Sequence, residues 1–146
     1  MKSYIRVALL CICACVCVMA FVTMPATGAE TSGKYVYHVT DADKLPFALD
    51  DIRDRVKQSG TTKTDIILVV DGPASKLLLK NTATENVRRE LASLQKGGVQ
   101  TSVCGNTMKF YKMQTSDLLP GIVRLEQGSN ARLEELKAQD YEAMHY

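Results

Sequence analysis

The stretch "DIILVV", Asp65 to Val70, constrains the fold more than any other part of this chain. It is a continuous apolar run bounded by turn residues, without the alternation of a half-exposed strand. Such a run is expected of a strand covered on both faces, at the centre of a parallel sheet. Parallel pairing needs long crossover connections, usually helices, so the remainder of the chain should alternate strands with helices.

The flanking segments do alternate in this way. "KYVYHV", Lys34 to Val39, is short, aromatic and β-branched and predicts the first strand. Asp41 and Asp43 offer caps for a following helix and Pro46 fits a first turn. Leu45, Leu49, Ile52 and Val56 then share one helical face, with Gly60 as the stop. "DGPASKLLLK" predicts a short helix or turn after the central strand. Thr82 and Glu85 have capping-box spacing ahead of a helix whose buried stripe is Val87, Leu91 and Leu94, ended by Gly97 and Gly98. "VQTSVC" predicts the third strand and "IVRL", Ile122 to Leu125, the fourth. Asn130 to Tyr141 predicts the last helix, with Leu133 and Leu136 inward, and "EAMHY" an edge strand. The fold class is α/β: a three-layer α/β/α sandwich around a mostly parallel sheet of four to five strands, joined by right-handed crossovers.

Residues 1–29 have the layout of a secretory signal. Lys2 and Arg6 precede an uncharged apolar run from Val7 to Val22, followed by Pro25 and a small-residue exit ending at Ala29. A run of about 16 residues is short for a membrane span, which takes roughly 20. Cleavage implies a periplasmic or otherwise exported protein, a single domain over residues 30–146. The alternatives are an uncleaved N-terminal anchor and lipidation at Cys15; membrane association is expected only in those two cases.

Cysteine usage follows from the same cut. Cys11, Cys13, Cys15 and Cys17 all lie in the apolar run, so the mature chain keeps Cys104 alone. It can form no internal disulfide in a compartment where such bonds normally persist, which marks Cys104 as a reactive thiol or an intermolecular partner. Removing Lys2 and Arg6 brings the basic residues level with the 16 acidic ones. A net charge near zero gives no support to nucleic-acid binding or to an electrostatic membrane role.

In an open α/β sheet the functional crevice lies beyond the carboxyl ends of the strands. Three loops meet that rule: His38 to Asp43, Asp71 to Ser75, and Cys104 to Thr107. Cys104 ends a strand just before a helix expected to begin near Met108, where free N–H groups and the helix dipole favour an anion such as a thiolate. Against this stands the ordinary buried cysteine, a small hydrophobe. His38 can serve as a base or as a positive neighbour of the thiolate, or simply as a hydrogen-bonded strand end. His145, near the terminus, is a weaker candidate.

No other chemistry is indicated. One cysteine, two separated histidines and scattered carboxylates lack metal-ligand spacing, so no metal site is expected. "DGPAS" lacks the Walker and GxGxxG patterns, and no cofactor is implied. Ser75 lacks the sequence context of a nucleophile. The pairs Asp50-Asp51 and Glu134-Glu135 read as solvated helix faces.

"KYVYHVTDADK", "DIILVVDGPASKLLL", "LASLQKGGVQTSVCGNTM" and "RLEELKAQDYEAMHY" together resemble the DsrE/DsrF-like family, in particular exported single-domain members. "V-C-x-N-T" is the most specific of these motifs. The resemblance implies a homo-oligomer, a trimer or hexamer, with a cysteine at a central strand end that carries sulfur as a persulfide between a donor and an acceptor protein. Cys104 matches that position. Cytoplasmic sulfur carriers of the family have small apolar residues after the cysteine, where Gly105, Asn106 and Thr107 stand here; Asn106 and Thr107 match the exported branch and are candidate binding residues. The other readings are a non-catalytic oligomeric binding or scaffold module with a packed cysteine, and a thiol redox sensor.

Overall fold

The computed structural model describes residues 33–59 and 64–146. The expected signal of residues 1–29 and the expected helix stop at Gly60 lie outside the described residues. Five strands form one sheet: β1 (Lys34–Val39), β2 (Asp65–Val70), β3 (Gln100–Cys104), β4 (Ile122–Leu125) and β5 (Glu142–His145). Their order is β4-β3-β2-β1-β5, and every pairing is parallel. Inward–outward alternation is absent from β2 because both its faces are covered, with Ile66 to Val70 all buried.

Among the described residues four α-helices lie in the connections: α1 (Leu45–Gln58), α2 (Glu85–Lys96), α3 (Gly105–Phe110) and α4 (Ser129–Lys137). Leu49 and Ile52 of α1, Leu91 and Leu94 of α2 and Met108 of α3 join Tyr37, Leu68, Val70 and Val103 in a large core on one face of the sheet. The opposite face carries a small core, in which Leu133 and Leu136 of α4 meet Val36, Ile67, Val69 and Leu125. The α/β/α layering and the parallel sheet agree with the sequence reading.

Chain order explains why α4 is alone. The strands advance from β1 to β4 across the sheet, and the last connection then returns from one edge to the other, to place β5 beside β1. That return follows the second face, so the amino end of α4 sits at the carboxyl end of the sheet, just after β4.

Several boundaries differ from the sequence expectation. Helix α2 is capped by Thr84, whose hydroxyl accepts the Val87 N–H, while the Thr82 hydroxyl donates to the Lys76 carbonyl. Helix α3 starts directly after Cys104 and not near Met108, with Cys104 as its N-cap residue. Asp41 precedes a 3₁₀ turn (Ala42–Lys44) that contains Asp43, and Asp41 makes no side-chain cap bond. Helix α4 stops at Lys137, three residues before Asp140, whose positive φ of 66° ends the turn. Asp51 is not a solvated residue: it accepts hydrogen bonds from the Tyr37 and Tyr146 hydroxyls at 2.8 and 3.0 Å. Asp50, Glu134 and Glu135 are exposed as expected and pair with Arg53, Lys137 and Arg132.

Candidate functional site

The carboxyl ends of β1, β2 and β3 and the amino end of α4 meet around Cys104. Cys104 is the last residue of β3, and α3 begins at once after it. Gly105 permits that abrupt change, because a Cβ there would lie 2.6 Å from the Leu125 carbonyl oxygen at the end of β4. Gly128, at φ +85°, then turns the chain into α4 and brings Ser129 back over β3; a Cβ on Gly128 would lie 3.9 Å from the Cys104 sulfur and 3.0 Å from Asn106 Nδ2.

The sulfur is therefore enclosed by two loops, and Cys104 is only 5% exposed. Burial pushes the Cys104 thiol up, but hydrogen bonding led by the Thr107 and Ser129 N–H groups outweighs it, leaving the thiol below its ordinary value, with the hydroxyls of the same two residues beside the sulfur. These donors lie in the first turns of α3 and α4, where N–H groups lack partners within the helix.

A chain of polar contacts leads away from the sulfur. Ser129 Oγ donates to Asp71 Oδ2 at 2.6 Å. His38 Nε2 lies 2.9 Å from the same oxygen, and Thr40 Oγ1 donates to Asp71 Oδ1 at 2.7 Å. Burial of Asp71 favours its neutral form, yet the bonds from His38, Ser129 and Thr40 prevail and hold its carboxyl down to about 2. Asp71 is thus ionised across the physiological range. Thr107 Oγ1 accepts the Gly72 N–H at 3.2 Å, which ties α3 to the loop after β2. The His145 ring stands edge-on to His38, with centroids 5.6 Å apart.

The structure brings Cys104, His38 and Thr107 into this one network. Asn106 is exposed beside Gly128, and Ser75 is buried with its hydroxyl donating to the Gly72 carbonyl at 2.6 Å. Asp71 and Ser129 are the members that the sequence reading missed as site residues. Asp71 lies within one of the three loops that the sequence places at the crevice; Ser129 has only the signal of a Gly-Ser pair following a strand. Among the described residues no three His, Cys, Asp or Glu side chains group as metal ligands.

Fold and site together define an open parallel α/β protein with a hydrogen-bonded thiol at the carboxyl edge of its sheet. The DsrE/DsrF-like family matches residues 18–146, and the chain belongs to that family. Two solved structures share the fold. A protein of unknown function, MTH1491 from Methanobacterium thermoautotrophicum, is 16% identical with a TM-score of 0.68, over 78% of this chain and 99% of that one. The ychN protein from E. coli is 16% identical with a TM-score of 0.61, over 77% of this chain and 99% of its own. No curated protein matches the chain.

Proposed function

We propose that this protein handles sulfur through a persulfide on Cys104, as an exported homo-oligomer that receives sulfur from one partner and passes it to another. The observation that carries this reading is the pair of N–H donors, from Thr107 and Ser129, at a thiol held below its ordinary value. Such a setting raises the thiolate fraction, and the thiolate is the nucleophile in sulfur exchange. In the transfer, the Cys104 thiolate attacks the outer sulfur of a donor persulfide. The new sulfur–sulfur bond forms as the donor's own bond breaks, and the donor leaves as a thiolate. Oxidation state is conserved overall, so no cofactor is needed.

The test is incubation of the intact protein with polysulfide followed by mass spectrometry. Cys104 is expected to gain the mass of one sulfur atom, and Cys104→Ser to lose that gain at this position. Absence of the adduct on Cys104 overturns the reading.

The 5% exposure of Cys104 favours a second reading, an oligomeric binding module in which the cysteine is packed. That reading requires Cys104→Ala to leave function intact while disruption of the oligomer abolishes it.

A further inference from the structure

Thr107 and Ser129 both present a hydroxyl to the Cys104 sulfur, but the two protons are committed differently. Thr107 Oγ1 accepts from the Gly72 N–H, so its own proton remains free to turn to the sulfur. Ser129 donates to Asp71 Oδ2 at 2.6 Å. A hydroxyl has one proton, so Ser129 cannot give it to Asp71 and to a thiolate together. While Asp71 holds that proton, Ser129 turns only lone pairs toward Cys104; this arrangement suits a neutral S–H and opposes a thiolate.

We propose that Asp71 is a positioning residue that governs Cys104 through Ser129, withholding the hydroxyl proton a thiolate would otherwise receive, and that His38 sets how firmly it is withheld. The inference rests on the reading of Cys104 as a working thiol. His38 matters because its Nε2 shares Asp71 Oδ2 with Ser129, at 2.9 Å against 2.6 Å. A charged imidazole satisfies that oxygen and loosens its hold on Ser129; without the imidazole, Ser129 is the sole donor to it. A His38 hydrogen bond to that oxygen and ionisation at Cys104 therefore favour each other, and such coupling is reciprocal.

The charged and titratable groups facing this network come from several elements. Asp71 follows β2 and His38 lies on β1. His145 of β5 stands edge-on to His38. Arg124 of β4 approaches Gly105 from the other side, its Nε 3.4 Å from where a Cβ on Gly105 would be, and pairs with Glu126 at 2.9 Å. The test compares variants that all retain Arg124, so its charge is the same in each.

The experiment follows thiolate ultraviolet absorbance against pH in the full chain, as a difference from Cys104→Ser, for Asp71→Asn, Ser129→Ala and the double variant. Asp71→Asn is expected to raise the thiolate fraction about tenfold at a pH below both midpoints, a downward move of the midpoint. Ser129→Ala alone should change it little, and Asp71→Asn in the Ser129→Ala background should move it less than half as far. An unchanged or higher midpoint in Asp71→Asn overturns the inference. So does an equal downward move with and without the Ser129 hydroxyl, since that is removal of charge alone. If Asp71→Asn does not fold, His38→Phe decides: removing one donor from the shared oxygen moves the midpoint up, and a lower or unchanged midpoint overturns the idea. The titration needs no sulfur donor. Failure of Cys104 to gain sulfur thus sinks the persulfide reading alone, and the absorbance midpoints judge the coupling separately.

Discussion

Two aspartates each organise a polar network among the described residues, and they do so in opposite ways. Asp71, at the carboxyl end of β2, gathers His38, Thr40 and Ser129 and leads to a thiol. Asp51, on α1, gathers the hydroxyls of Tyr37 and Tyr146. Its network closes on a guanidinium, because Arg55 Nε donates to the Tyr37 oxygen at 2.8 Å and the guanidinium lies 4.0 Å from the Tyr35 ring centroid. Tyr37 and Tyr146 also stack, with centroids 6.0 Å apart, which fastens Tyr146 to β1 and α1. A carboxylate ringed by donors is common to both. What differs is the end of the chain of contacts: a nucleophile in one case, a fixed cation in the other. The Asp51 network ties elements together, whereas the Asp71 network leaves one ionisable atom unfinished.

If that division holds, damage to the Asp51 network should cost stability without touching the thiol. Tyr37 is fully buried, so Tyr37→Ala is expected to destabilise the protein by about 3–5 kcal/mol in denaturant unfolding, the range for deleting a large buried ring. The Cys104 ionisation midpoint should stay where it is. A midpoint that moved with Tyr37→Ala would merge the two networks and break the comparison.

Damage to the Asp71 network should instead appear in acid. Its carboxyl falls from 3.8 in the unfolded chain to about 2 in the fold. A depressed carboxyl contributes stability fully above the unfolded value and loses it as pH falls through the folded one. The contribution is therefore present above about pH 4 and lost on the way to pH 2. It amounts to about 2 kcal/mol, since the Asp71 side chain is only 17% exposed and little screened. Asp71→Asn should flatten that acid limb in chemical unfolding measured at several pH values, and an unaltered limb would remove Asp71 from the account.

How far the sequence announced this arrangement depends on the range of each interaction. The buried run of β2, the stripe of Val87, Leu91 and Leu94 in α2, and the strand end at Cys104 are set by neighbours a few residues apart, and periodicity displays them. The partners of Asp71 are not local: His38 lies 33 positions before it and Ser129 lies 58 after it. No pattern in one sequence links such residues. They meet because parallel strands end at one edge and because the return connection places α4 over that edge. The expected start of α3 near Met108 failed for a related reason. "GNT" reads as a loop locally, yet Gly105 lets the helix begin against the Leu125 carbonyl. Asp51 likewise reads as solvated beside Asp50, because one of the two phenols that enclose it, Tyr146, is 95 positions away.

The smallest effect should separate the networks at the other end of the pH scale. Burial first, and then the bond to Asp51, push the Tyr37 and Tyr146 phenols above their ordinary value near 10. A phenol raised in the fold contributes stability below its unfolded value and loses it as pH climbs through the folded one, so this network weakens in alkali, from about pH 10 upward. Tyr146→Phe removes one donor to Asp51 and is expected to cost about 1 kcal/mol at neutral pH, the usual net worth of a hydrogen bond. It should leave the acid limb intact while reducing the alkaline loss. Tyrosine absorbance titration alongside chemical unfolding reads both limbs. If Tyr146→Phe altered the acid limb, the two aspartates would share one cooperative network, and Cys104 would be coupled to Tyr146 through β1.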